Sequence, residues 1–414
     1  MKVSVLTVGG GAAGLMAAGY AAACGARSTV LERNDKPARK LMITGKGRCN
    51  VTNNCRSLDS LIANVPRNGR FLYGSFSRFM PEDVIEFFES RGVELKTERG
   101  NRVFPVSDSA ADIVDALVSF AKRGSEIVKG RAVKLLIEDG CVKGVETEEG
   151  EKLFADKVII ATGGLSYPGT GSTGDGYELA KQAGHKITEL KPSLVPLEIH
   201  EGFCTDLMGL SLRNTAIKVI DTEKNKEIYS DFGEMLFTHF GVSGPMILSA
   251  SAHMRDMKSG RYKILIDLKP ALTEEQLDAR ILRDFSENTN KNFINALNSL
   301  LPKKLVPIIV KLSGIGLSTK VNQITREQRQ RLVQLLKGMS ITVTGFRPVK
   351  EAIITSGGVD ISQINPKTME SKLCKGLYFA GEVIDADAYT GGFNLQIAFS
   401  TGRLAGMSAA QSAE

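Results

Sequence analysis

The sequence predicts an α/β protein: a three-layer Rossmann-like domain interrupted by an inserted β-barrel and a helical subdomain. Three observations predict it. An apolar run, KVSVLTV (2–8), leads into glycines and then a small-residue run, the strand–turn–helix order of a dinucleotide-binding unit. Two more apolar runs, KVIIATGG (157–164) and GLYFAGE (376–382), end in similar glycine turns although a long stretch of chain separates them. Between them the pattern changes twice, first to short strand-like runs and then to helical periodicity.

Taken in order, residues 2–8 read as a buried strand, 12–24 as a small-residue helix and 28–32 as a second strand. Pro81-Glu82-Asp83 opens a helix to Arg91, with proline near the first helical position and acids facing the positive end of the helix dipole. Another helix spans about Ser109 to Lys122. RAVKLLIEDGCVKGVETEEGEKLFADKVIIATGG (131–164) reads as three strands, turned at Asp139-Gly140 and Glu149-Gly150. KPSLVPLEI (191–199), with two prolines around a short apolar run, reads as a crossover. Residues 195–268 are Val-, Ile-, Thr- and Leu-rich runs broken by Gly and Pro, the pattern of a small barrel. From Thr273 the period is helical, with Thr273 and Thr325 as N-caps. Strands return after Gly345, and 391–410 read as a C-terminal helix. The expected division is 1–190 with 345–414 for the nucleotide-binding domain, 191–270 with 336–344 for the barrel, and 271–335 for the helical subdomain.

A chain of 414 residues exceeds one ordinary core, and 42% hydrophobic with 24% charged residues fits a globular protein. Six cysteines without framework spacing fit a reducing cytoplasm. His185, His200, His239 and His253 are scattered, so no metal site is expected. The N-terminus has the look of a signal peptide, yet cleavage there would remove the glycine turn, which makes sense only if kept. No later apolar run reaches the roughly 18 residues of a membrane span. The expectation is a cytoplasmic protein without membrane attachment.

The net charge of +7 is concentrated: Lys258–Lys337 holds 15 Lys/Arg against 7 Asp/Glu. These charges alternate with apolar residues at helical spacing, which reads as a solvated face, so nucleic acid is not expected as a partner. The competing class is an RNA-modifying flavoprotein, which needs a basic face with exposed stacking aromatics. Phe285 and Phe293 lie on apolar stripes and read as core.

The first glycine turn is Gly9-x-Gly11-x-x-Gly14, with Ala12 and Ala13 opening the helix. Gly9 permits the turn, Gly11 lets a pyrophosphate approach the backbone, and Gly14 lets helix pack on strand. Helix N-terminal amides receive the phosphate charge. Glu32, followed by Arg33, closes the next strand and would accept hydrogen bonds from ribose hydroxyls. Ala161-Thr162-Gly163 and Gly381-Glu382 match the second and third contacts that two-dinucleotide-binding flavoproteins make, which favours FAD over NAD as resident cofactor. Gly392, Asn394, Leu395 and Gln396 open the last helix, whose first-turn amides could face a flavin carbonyl. A second spelling of the motif, Gly169 to Gly174, lacks the strand and follows Pro168, and reads as a loop near the flavin edge.

GGGAAGL (9–15), KLMITGKGRCNVTN (40–53), NRVFPVSDSAADIV (101–114), ATGGLSYPGTGSTGDGY (161–177), LFTHFGVSGPMIL (236–248) and GLYFAGEVIDADAYTGGFNLQIAFSTG (376–402) together carry a resemblance. The chain resembles the NAD(P)/FAD-dependent oxidoreductase family of aminoacetone-oxidase-like and bile-acid-reductase-like flavoproteins. That resemblance implies an FAD-binding three-layer domain interrupted by a barrel and a helical subdomain. It also implies cofactor contacts from Lys40, Thr44, Gly47, Arg48, Cys49 and Asn50, to which Val133 is added. Lys46 stands where the family often has glycine, and Ile397 and Phe399 where relatives often have tryptophan.

Cys49 and Cys55 raise the alternative of a flavin disulfide reductase. Their five-residue gap, Asn50 to Asn54, is turn-like rather than helical, and in the resembling family Cys55 lies outside the motif. The expected activity is hydride transfer between the flavin, reduced by NAD(P)H, and a small organic substrate such as an enone, ketone or amine. Arg102 is the candidate for holding a carbonyl or carboxylate. Tyr167, His239 and Tyr389 are the candidates for the accompanying proton.

Overall fold

A computed structural model describes residues 2–411 of the chain. The chain divides into two compact units, Met1–Ser193 with Pro348–Glu414, and Leu194–Arg347.

The first unit is built on five parallel strands in the order Leu377–Phe379, Lys157–Ile160, Ser4–Val8, Arg27–Glu32, Ser125–Lys129. The central strand, SVLTV, is buried along its whole length, as a parallel strand covered on both faces must be. The helices Ala12–Ala23, Ala110–Lys122 and Phe393–Ala410 form one layer. The first and last cross at backbone distance: a Cβ at Gly402 would sit 2.4 Å from the Ala13 carbonyl oxygen, and one at Gly406 2.1 Å from that of Ala17. The antiparallel meander Ala132–Glu138, Cys141–Thr147, Lys152–Phe154 forms the third layer, with Asp139 and Gly140 at positive φ in its first turn.

The three-strand expectation for 131–164 is corrected to four. The last run breaks at Ala155-Asp156, and its halves enter different sheets. The cause is a long-range contact: the Asp156 carboxylate accepts from the backbone N–H and hydroxyl of Ser4, both at 2.7 Å, which pins the start of the parallel strand beside the central one. The chain leaves this unit along Lys191–Ser193 and returns along Ile354–Ser356, and these two strands pair antiparallel.

The second unit is a closed six-stranded barrel, Leu197–Ile199, Gly241–Ser243, Lys226–Phe237, Ser211–Asp221, Tyr262–Asp267, Met339–Phe346, in that spatial order. Its last strand runs through Phe346, beyond the 336–344 expected from sequence. Helices Glu274–Ser286 and Arg326–Lys337 each begin with a capping box: Thr273 with Gln276, and Thr325 with Gln328. Leu277, Ile281, Leu332 and Leu336 from these helices share one apolar core with the barrel residues Ile264, Ile266 and Met339. The helices are therefore built onto the barrel wall.

Candidate active site

The first glycine turn is shaped for a ligand that approaches the backbone. Gly9 has φ +103°, and a Cβ there would lie 2.6 Å from the Ala161 carbonyl oxygen, so only glycine admits the neighbouring strand end. A Cβ at Gly14 would lie 1.8 Å from the Gly9 carbonyl oxygen. At Gly11 nothing lies within 4 Å of that position, which leaves open space at the N-terminus of Ala12–Ala23. That helix has no side-chain cap and no acid in its first turn, so its positive end is not neutralised from within. Glu32, nearly buried, accepts from Gly10 N at 2.6 Å and from Asn34 N and Nδ2 at 2.8 and 2.6 Å. Two buried oxygens, Thr162 Oγ1 beside Gly9 and Asn50 Oδ1 beside Gly45, have no hydrogen-bond partner among the described residues. Buried polar atoms are rarely left so, and these two suit a polar ligand. The donor set fits a dinucleotide: open glycine, helix amides, a fixed carboxylate and two orphaned acceptors.

A second group gathers around Glu382. Lys40 Nζ lies 2.6 Å from Glu382 Oε2 and 2.6 Å from Ser166 Oγ. Glu382 Oε1 accepts from Ser166 Oγ at 3.0 Å and Thr355 N at 2.9 Å. Gly381, at φ +76°, donates to Thr401 on the last helix at 2.9 Å. Tyr167 follows Ser166 with φ +53° and is 37% exposed, an aromatic ring presented to solvent from a strained turn.

The third group lies at the N-terminus of Phe393–Ala410. Gly392, at φ +100°, packs so closely that a Cβ would meet the Thr52 carbonyl at 2.3 Å. Asn53 Nδ2 donates to Gly391 O at 3.1 Å and Gly100 O at 3.0 Å. The strand Arg102–Pro105 places Arg102 opposite Asn53, and the exposed Arg102 donates through Nε to Arg99 O at 3.0 Å. Asn394 accepts from Ala388 N at 2.9 Å and donates to Ala388 O at 2.8 Å, fixing the residue before Tyr389. Arg102, Tyr389 and the helix N-terminus are thus tied to one another through Asn53, Gly391 and Asn394.

The side chains of the other expected contacts have partners of their own or open surroundings. The Arg48 guanidinium is held by Glu98 and Asp108 and lies over the Phe104 ring, committed to a surface cluster. The Gln396 amide is fully buried, accepting from Thr52 and donating to Phe79 O at 2.8 Å and Ser400 Oγ at 2.9 Å, so it holds loops together. Leu395 packs partly buried against the Phe79–Phe399 core. Val133 sits on the meander, 40% exposed, its carbonyl accepting from Gln182 at 2.9 Å. Thr44 Oγ1 donates to Leu41 O at 2.7 Å, and Gly47 has open space where a Cβ would be. His239 belongs to the second unit, exposed and edge-on to Phe240.

Cys49 is fully buried, and burial pushes its thiol up to about 12, against a hydrogen bond with Thr44. A thiol in that state supplies almost no thiolate near neutrality. Cys55 packs against a different apolar cluster and donates to Asn53 Oδ1 at 3.0 Å. The geometry opposes a facing dithiol.

Arg33 was expected from sequence, but the partners that surround it, Thr173, Asp175 and Arg131, were not. Arg33 donates to Thr173 and to Asp175, the latter at 3.1 Å, and Arg131 grips Asp175 at 2.9 and 3.0 Å. Burial works to raise the Asp175 pKa, but Arg131, Thr173 and Arg33 overcome it and hold the carboxyl below its ordinary range. Asn34 Nδ2 donates to Thr170 O at 3.1 Å. The loop spelled Gly169–Gly174 therefore lies against the end of the second strand, beside Asn34 and Arg33. Asp387, likewise missed, is buried and accepts from Ser193 and Ser356 hydroxyls at 2.8 Å each. Burial lifts its pKa above the usual carboxylate range, against those two hydrogen bonds.

A three-layer Rossmann-like domain with this cradle defines a FAD-binding oxidoreductase. The chain belongs to the HI0933-like protein Rossmann domain family, whose model matches residues 3–408. It is 32% identical over 403 residues to a ribosomal RNA dihydrouridine synthase of Haemophilus influenzae, covering 96% of each chain. With the enzyme of the same name from Escherichia coli it shares 29% over 402 residues, 97% of this chain and 96% of that one. It is 30% identical over 412 residues to a 3-dehydro-bile acid delta(4,6)-reductase of Clostridium scindens, covering 98% of each. Among solved structures it is similar in fold to a flavocytochrome c3 fumarate reductase, with TM-score 0.53 and 18% identity over 99% of this chain and 78% of that one.

These relatives correct one expectation. Nucleic acid was not expected as a partner because the basic insert alternates with apolar residues, yet two near-full-length relatives are named for modifying ribosomal RNA. Helical spacing of charges shows only that a helix has a wet face, and a wet face can also be a binding face. Among the described residues, no helix is long and apolar enough to cross a membrane, and no cluster of potential metal ligands is present.

Proposed function

We propose that this chain is a FAD-dependent reductase that saturates the carbon–carbon double bond of a uracil ring in RNA, with NAD(P)H as electron donor. The observation that carries the reading is similarity along nearly the whole chain to enzymes whose names describe saturation of a double bond in ribosomal RNA uridine. The third relative, a reductase of a 3-dehydro-bile acid, shares the electronic problem. In both cases a double bond conjugated to a carbonyl takes a hydride at its far carbon and a proton at its near one.

Reduced FAD supplies the hydride when bound. The Gly9–Gly14 turn, Glu32 and the orphaned acceptors of Asn50 and Thr162 bind the cofactor, and the Lys40–Glu382 pair fixes the turn at Gly381. Arg102 holds the substrate carbonyl oxygen, where its charge stabilises the negative charge that develops as hydride arrives. Tyr389, carried on the loop that Asn394 fixes, gives the proton at the neighbouring carbon, and Tyr167 is the second candidate for that role. One π bond is lost, one hydride and one proton are added, and the donor is oxidised by two electrons.

The test is anaerobic: flavin is reduced with NADH or NADPH and then mixed with ribosomal RNA lacking dihydrouridine. Reoxidation of the flavin, with uridines gaining two hydrogens by mass spectrometry, is expected. Reoxidation by a 3-oxo-4,6-diene bile acid but not by RNA would replace the substrate class. Arg102→Ala and Tyr389→Phe should slow reoxidation without releasing FAD.

A further inference from the structure

The second unit carries a basic stretch with no acid inside it. From Asn288 to Arg326 the sequence holds six Lys/Arg and no Asp or Glu. Lys291, Lys303, Lys304, Lys311, Lys320 and Arg326 are all exposed. Lys304 donates to the Met208 carbonyl at 3.0 Å, and the other five form no ion pair among the described residues. Elsewhere in the same unit several cations are matched, Arg329 with Asp278 at 2.6 Å, Lys337 with Asp267 at 2.6 Å, Arg280 with Asp284 at 2.8 Å and Arg261 with Asp221 at 2.9 Å, and the ones left unmatched stand among acids in the sequence.

The fold brings these lysines into groups. Phe293 N donates to Thr319 O at 2.8 Å and Val321 N to Lys291 O at 3.1 Å, so Lys291 and Lys320 lie on adjacent bridged segments. The helix Val306–Ser313 buries Val306, Ile308, Ile309 and Val310, which turns Lys311 outward, and Lys303 stands on the turn that leads into it. The bridged segments and the helix share one core through Phe293, Ile309 and Val321, so the apolar side is spent on folding and the basic side is left over.

On the reading that RNA is the substrate, we infer that the acid-free surface of 288–326 docks the RNA phosphate backbone. Five unpaired cations without a carboxylate among them complement a polyanion and release its condensed counterions on binding. The surface lacks stacking platforms: Phe285 is 8% exposed and Phe293 is fully buried. It therefore contacts phosphate without reading bases, and the choice of uridine rests with the flavin site.

The test uses the full-length holoenzyme and a fluorescein-labelled RNA stem-loop with uridines in its loop. A charge-reversed variant carries Lys291→Glu, Lys303→Glu, Lys311→Glu and Lys320→Glu, and a second carries glutamine at the same positions in case reversal disturbs folding. The control carries Lys122→Glu, Lys143→Glu, Lys152→Glu and Lys367→Glu, four exposed lysines of the first unit. Affinity by anisotropy should fall at least about tenfold in the first variant, and the slope of log affinity against log salt should flatten by about 3. Bound FAD should be unchanged, and the control should lose less than about threefold on the same scale.

Equal losses in face and control variants, or none in the face variants, would overturn the inference. Binding to phosphatidylglycerol vesicles through these lysines, with no binding to RNA, would also overturn it in favour of a membrane surface. A wild type that makes dihydrouridine as well as the face variants sinks the surface and leaves the substrate reading standing. RNA bound through this face without any uridine reduced sinks the substrate reading and keeps the surface.

Discussion

The glycine cradle of the first unit and the basic helical surface of the second are both defined by what is missing. In the cradle the missing thing is a side chain: at Gly11 nothing lies within 4 Å of where a Cβ would be. On the surface from 288 to 326 the missing thing is a counter-charge. The difference lies in range. Room at a glycine is a property of a few consecutive residues. A lack of ion pairs depends on every carboxylate that the fold could have brought near. The first kind of site announces itself locally, and the second does not.

That comparison breaks most sharply within the cradle. Gly14→Ala forces a Cβ to 1.8 Å from a backbone oxygen that cannot move aside, so folding should fail or lose about 3 kcal/mol or more. Gly11 has φ −81°, which valine adopts freely, and it has open space. Gly11→Val should therefore keep its circular dichroism spectrum and elute from gel filtration nearly without flavin absorbance. A flavin-bound Gly11→Val protein would remove the pyrophosphate from this turn. Matching changes in the second unit, such as Gly314→Ala, should leave the flavin in place.

Acid should strike the first unit through His185. Burial against Phe379 disfavours its imidazolium and lowers its pKa from 6.5 to about 4, with a hydrogen bond to Gln363 opposing the shift. Between those values the unfolded chain binds the extra proton. Stability is then full above pH 6.5 and falls as pH drops toward 4, by up to about 3 kcal/mol. Urea unfolding at several pH values should show this slope in wild type and a shallower one in His185→Leu. An unchanged slope in the variant would place the acid sensitivity elsewhere.

In the second unit the expected effects are smaller. Thr273→Ala and Thr325→Ala each remove one side of a capping box and should cost about 1 kcal/mol of stability by chemical denaturation. Neither should alter flavin content, and a loss of FAD in either would erase the contrast between the regions. Cys55→Ser should be nearly silent, and full anaerobic reduction of wild type and variant should take the two electrons of the flavin alone. A wild type that takes four, falling to two in the variant, would restore the dithiol reading despite the burial of Cys49.

Much of the first unit was legible. The packing roles of Gly9 and Gly14 could be read from spacing because strand, turn and helix are adjacent in sequence, and the caps Thr273 and Thr325 because a cap acts on the residues that follow it. For Arg48 and Gln396, motif position said nothing of their protein partners: Glu98 and Asp108 hold the one, Phe79 and Ser400 the other. Asp175, Arg131 and Ser166 were invisible, since each finds its partner far along the chain.

By itself the sequence determined the α/β architecture, the tight glycine turn between first strand and first helix and the presence of an insert, because each follows from backbone freedom and hydrophobic period over a few residues. Tertiary structure alone decided that Asp156 would split a strand run by capping Ser4, that the 169–174 loop would lie beside Asn34, and that five cations of 288–326 would stay unpaired. These outcomes turn on distances between residues remote in the chain, and electrostatic and hydrogen-bond energies fall too steeply with distance for sequence order to foretell them.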